Sequence, residues 1–160
     1  MVGEKWNFDL QIESYAIDGR LQNFSENLNG TFISTFSANY KINNLKFSVG
    51  SIYDQFGSGL IFRTWEDRQL GINNSIWGVR TTYSSEKINL TGLAGKQKKG
   101  KISSDGFVYG FDADLMLFEN FDNYKSLNLG LSYVGRSEPE IEYSFNNLTS
   151  AISARVDYNS

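Results

Sequence analysis

The sequence predicts an all-β protein: an antiparallel, up-and-down transmembrane β-barrel of about eight strands. Three observations predict it. Apolar and polar residues alternate with a period of two along eight segments, no segment carries a helical period, and the connections between segments alternate in length. The eight segments either close as one small barrel or form an arc of a larger one.

The first segment sets the pattern, with Trp6, Phe8, Leu10 and Ile12 alternating with Asn7, Asp9, Gln11 and Glu13. The second begins near Thr31 and places Phe32, Phe36, Ala38, Tyr40 and Ile42 on one face, opposite Thr35, Ser37, Asn39 and Lys41. Asn43 and Asn44 read as a tight turn into a third strand bearing Leu45, Phe47, Val49 and Tyr53. Trp77, Val79, Thr81 and Tyr83 form the fourth apolar face, and Ile88, Leu90, Gly92 and Ala94 the fifth. In the sixth, Phe107, Tyr109, Phe111, Ala113, Leu115 and Leu117 lie opposite Gly110, Asp112 and Asp114. Leu127, Leu129, Leu131 and Tyr133 give the seventh; Leu148, Ile152, Ala154, Val156 and Tyr158 give the eighth.

The connections run long, short, long, short, long, medium, long: residues 18–30, 43–44, 53–80, 84–86, 96–105, 119–125 and 135–146. Outer-membrane barrels sort their loops this way, with short turns on one side and longer loops on the other. Alternation alone leaves the direction of the apolar face open. The polar faces are rich in Ser, Gly, Asn and Thr, as a crowded lumen requires, so the apolar faces are expected to meet lipid. The alternative is a soluble β-barrel or sandwich that binds an apolar ligand between inward aromatics.

Composition removes several function classes. The chain of 160 residues has no histidine and no cysteine, which takes away the usual general base and the commonest metal ligands. No enzymatic activity, cofactor or metal is expected. A net charge of −3 argues against nucleic acid as a partner. The opening MVGEKWNFDL has neither the basic start nor the apolar stretch of a signal peptide.

Residues 53–80, YDQFGSGLIFRTWEDRQLGINNSIWGVR, interrupt the alternation most. Their charges balance, and Leu60, Ile61, Phe62 and Trp65 favour burial, so the stretch is expected to fold into the lumen as a plug or constriction; the alternative is an outer loop braced by its own salt bridges. Arg63, Glu66, Asp67 and Arg68 are expected to pair there with wall charges at Arg80, Asp112 and Asp114. Gly57, Gly59 and Gly71 are assigned structural roles in its turns. Lys96, Lys98, Lys99 and Lys101 make a basic outer loop suited to the phosphates of lipopolysaccharide, with outer-membrane lipid and other envelope proteins as the partners. Asp112 and Asp114 share a face, as glycosidase carboxylates do, but lumen charges are routine in barrels. Asn-x-Ser/Thr triplets at Asn23, Asn29, Asn73, Asn89 and Asn147 match chance in an Asn-rich chain. Trp6, Trp77, Tyr40, Tyr83 and Tyr133 suit an interfacial girdle or an ordinary sheet.

The run SVGSIYDQFGSGLIFRTWEDRQLGINNSIWGVR, followed by LAGKQKKGK and GFVYGFDADL, resembles a family of outer-membrane β-barrel proteins from Bacteroidetes. The resemblance covers roughly residues 48–136. By position it marks Gln55, Phe56, Gly57, Gly59, Arg63, Glu66, Arg68, Gly71, Asn74 and Asp112. The chain departs from the family pattern at Asn73, where an acidic residue is usual, and at Lys98, where arginine is. Members of that family are longer, so the resemblance implies that this chain is an N-terminal portion. It implies location and architecture and brings no activity.

Overall fold

The computed structural model describes residues 5–16, 28–68, 70–120, 125–139 and 147–159. Ten strands follow one another: β1 (Lys5–Tyr15), β2 (Gly30–Ile42), β3 (Leu45–Ile52), β4 (Glu66–Asp67), β5 (Ile72–Asn73), β6 (Ile76–Ser84), β7 (Ile88–Lys99), β8 (Ile102–Asn120), β9 (Lys125–Ser137) and β10 (Leu148–Asn159). Eight of them form one antiparallel sheet in the order β1-β2-β3-β6-β7-β8-β9-β10. Each strand therefore neighbours the next one in the chain, as in a meander, once β4 and β5 are set aside. Those two pair only with each other, inside the long connection between β3 and β6. Among the described residues no ladder joins β1 to β10, so both are edges of the sheet.

The period of two puts apolar side chains on one face and small or polar ones on the other. The apolar face is the exposed one. Trp6, Phe8, Leu10 and Ile12 stand 61–72% exposed along β1, and Ile152 and Val156 about 70% along β10. Ser34, Ser48 and Ser132 are buried on the opposite face. The connection between β3 and β6 lies against that polar face, and the hydrophobic cluster sits between the two. Phe56 and Phe62 of the connection pack there on Ile52, Ile76, Leu93 and Val108 of the sheet, with Ile61 and Val134 alongside.

Three expectations are corrected. Residues 96–105 are not a loop: β7 runs to Lys99, Gly100 turns with φ +64°, and β8 resumes at Ile102. Six polar or glycine residues in a row hid a hairpin whose strands are held by their backbones. Phe32 is not on the face of Phe36, because the register shifts between Gln11 and Ile12 of β1. Such a bulge reverses every side chain beyond it. Phe32 turns to the polar side against Tyr15, and Ile33 turns outward at 59% exposure. Finally, of the four residues of the long connection expected to be buried, only Phe62 is; Leu60 is 85% exposed and Trp65 40%. The position Asn23 and most of the connections 18–30, 119–125 and 135–146 lie outside the described residues.

Candidate functional site: a loop braced on the polar face

The connection is shaped by its turns. Gly57, Gly59 and Gly71 all have positive φ, at +50°, +82° and +65°. The Phe56 amide donates to the Phe62 carbonyl at 3.1 Å, and Gln55 bridges Arg63, closing a small lobe over the sheet. Thr64 ties that lobe to its stem, its amide donating to the Asp54 carbonyl at 2.8 Å. The Trp65 amide donates to Asn74 Oδ1 at 2.6 Å, and the Leu70 amide to Asp67 Oδ1 at 3.1 Å. Asp67 is thus a turn residue, and Asn73 joins Glu66 and Ser75 through its side chain.

The expected charge cluster divides into three separate groups. In the first, Arg80 of β6 meets Asp54 at 2.9 Å. Those two atoms make no hydrogen bond, so the contact is one of charge alone. Burial pushes the Asp54 carboxyl above the ordinary aspartate range, while Arg80 opposes the shift. In the second, Arg155 of β10 reaches across β9 to Asp112 at 2.9 Å and Asp114 at 2.7 Å on β8. Ser132, fully buried between them, hydrogen-bonds both Asp112 and Arg155. In the third, Arg68 lies 3.5 Å from Glu66 and 4.0 Å from Glu13 of β1. Arg68 is 63% exposed, so screening leaves little of that attraction. Arg63 is exposed and forms no ion pair among the described residues. The loop charges Arg63, Glu66, Asp67 and Arg68 therefore do not pair with Arg80, Asp112 or Asp114. Each wall charge has a nearer partner.

Arg155 is the residue that sequence reasoning missed. Two glycines make room for it. A Cβ on Gly57 would fall 2.1 Å from its guanidinium, and one on Gly130 would fall 2.6 Å from it and 2.7 Å from Asp114. Gly130 is the cross-strand partner of both Arg155 and Asp114. A glycine between an arginine and an aspartate across three adjacent strands was the available signal, and it needs the register to be read.

The four lysines also separate. Lys96 is exposed on β7 between Trp77 and Phe107, and Lys99 is exposed opposite Ile102. Lys98 instead donates from Nζ to the Ser34 carbonyl, and Lys101 from Nζ to the Asn29 carbonyl. Both ammonium groups stand over the Phe32 ring, at 6.0 Å and 4.9 Å from its centroid. Among the described residues no group of three or more carboxylates gathers into a metal site.

These features define an antiparallel β-meander with an exposed apolar face and a polar face that carries a charge-braced loop. The chain belongs to a family of unknown function, DUF6029, whose pattern it matches over residues 1–160. No curated protein and no solved structure matches it.

Proposed function

We propose that the chain forms the wall and the plug of a non-enzymatic outer-membrane β-barrel, a channel, scaffold or subunit of an envelope complex. The observation that carries the reading is the sidedness of the sheet. Large apolar side chains stand exposed along every long strand while serines, carboxylates and guanidinium groups are enclosed. Water penalises such a surface at about 25 cal/mol per Å² of apolar area, and lipid does not. The strands support it too, since spanning takes about 9–11 residues and seven of the eight sheet strands have at least nine.

Closure is supported by the loop, which touches Glu13 on β1 and Arg155 on β10, the two ends of the strand order. A sheet with those strands on opposite sides of one loop is curled around it. The resemblance to Bacteroidetes barrels supports the location. The alternative, a soluble domain with a ligand among inward aromatics, needs the apolar faces to enclose something, and they are the exposed ones. A non-enzymatic role is supported by Asp112 and Asp114, both engaged by one guanidinium rather than poised as an acid and a base.

The test is folding with and without detergent, followed by circular dichroism and heat-modified gel mobility. A β-rich, heat-modifiable species obtained only in detergent is expected. A folded monomer in plain buffer overturns the reading.

A further inference from the structure

β2 is longer than its neighbour. Only Ser37–Ile42 pair with β3, so among the described residues the Gly30–Phe36 half has no strand on that side. The tip of the β7–β8 hairpin leans over the vacant edge, and side chains rather than a ladder make the join: Lys98 to Ser34 and Lys101 to Asn29. On the outer surface this seam is a groove of about 460 Å³. Its walls are apolar and exposed: Ile33, Phe36, Trp77 and Ile102, with Phe36 and Trp77 edge to face at 5.9 Å. The only charged side chains lining it are Lys98 and Lys101, and neither has an ion pair among the described residues.

We infer that this groove binds a phosphorylated amphiphile of the outer leaflet, its headgroup phosphate on Lys98 and Lys101 and one acyl chain along Phe36 and Trp77. The inference rests on the membrane reading above and names the lipid partner within it. Charge complementarity carries it. An ammonium group has three donors, and a backbone carbonyl uses one on each lysine, leaving donors for phosphate oxygens. Glu13 and Glu66 act on Lys98 from its polar side, beside Phe32, but neither makes an ion pair with it and neither lines the groove. An apolar trough ending in two cations fits a molecule with a chain and an anionic head. A free anion would leave the trough empty, and a neutral lipid would leave the cations unmatched. The seam also lies at the end of the sheet that carries the longer connections, where an outer leaflet would be.

Trp77 is the reporter. With Trp6 and Trp65 replaced by phenylalanine, the protein in neutral detergent micelles is titrated with diphosphoryl lipid A and with the same lipid after dephosphorylation. Saturable change in Trp77 emission is expected with the first, at about tenfold lower concentration than with the second. K98Q/K101Q should remove that preference, and K98R/K101R, which keeps both charges, should retain it. Equal binding of the two lipids, or an undiminished preference in K98Q/K101Q, overturns the inference. So does a phosphate preference reproduced by millimolar inorganic phosphate alone, since the site would then hold an anion and not a lipid. Heat-modified mobility of each variant reports folding independently. A heat-modifiable protein without the preference defeats the groove and leaves the barrel standing, whereas a protein folded in plain buffer defeats the barrel itself.

Discussion

Among the described residues Arg155 concentrates more of the polar-face chemistry than any other. One guanidinium serves two carboxylates, one hydroxyl and the underside of a loop turn, and Gly130 gives it the space. Gly130→Ala places a methyl within 2.7 Å of both the arginine and Asp114, so one of them must move. The expected cost is about 1–3 kcal/mol, read as a lower urea midpoint in detergent. Asp54 gives a pH dependence of definite sign. Burial raises its folded value above that of the unfolded chain. Between those two values the folded protein therefore holds a proton that the unfolded chain has released. Its contribution is full below the unfolded value and is lost as pH rises through the folded one. Thermal midpoints across the mildly acidic range should fall with rising pH, and Asp54→Asn should flatten that slope. Arg80→Met, which strips the carboxylate of its counter-charge, should cost about 2 kcal/mol at neutral pH and less when combined with Asp54→Asn.

At the scale of elements, the connection between β3 and β6 is held by two phenylalanines more than by its charges. Phe56 and Phe62 touch at 4.7 Å and cover Ile52, Ile76, Leu93 and Val108. Replacing both by alanine should cost about 3 kcal/mol or more and release the loop. Limited proteolysis is the measurement: cleavage within residues 53–75 should speed up while the β signal in circular dichroism is kept. Unchanged cleavage means that the turns and ion pairs suffice. The strands were legible because a period of two survives in a single sequence. The loop's landing place was legible in part. Leu93, Val108 and Val134 each stand beside an outward apolar residue or glycine, breaking the alternation where the polar face turns apolar. The hairpin around Gly100 was not legible, because Lys-Gln-Lys-Lys-Gly-Lys looks like loop wherever backbone pairing, not side-chain burial, holds the strands. Nor was the fate of Phe32, since a bulge leaves no residue-type mark and reverses a face in one step.

For the whole molecule, the sequence carried the sheet order but not its closure. Successive short and long connections dictate a meander, whereas an arc and a ring of the same strands alternate identically. The sidedness became legible only with exposure in hand. If the sheet encloses a lumen, replacing residues 54–74 by a short Gly-Ser bridge should raise single-channel conductance in a planar bilayer by severalfold. Unchanged conductance would sink the plug. The strands that have to stay are β3 and β6, so the replacement stops short of Ser75, which is fully buried beside them.

The position of Arg155 also has a consequence in time. The loop is synthesised between β3 and β6, but the cation beneath Gly57 belongs to β10, the last strand of the order. Until β10 is laid beside β9, Asp112 and Asp114 lack the guanidinium that pairs them and the Gly57 turn lacks its contact with it, although Phe56 and Phe62 already hold the loop on β3, β6, β7 and β8. Assembly would then finish by latching the interior, so that an incomplete wall stays unlocked and can still be rearranged.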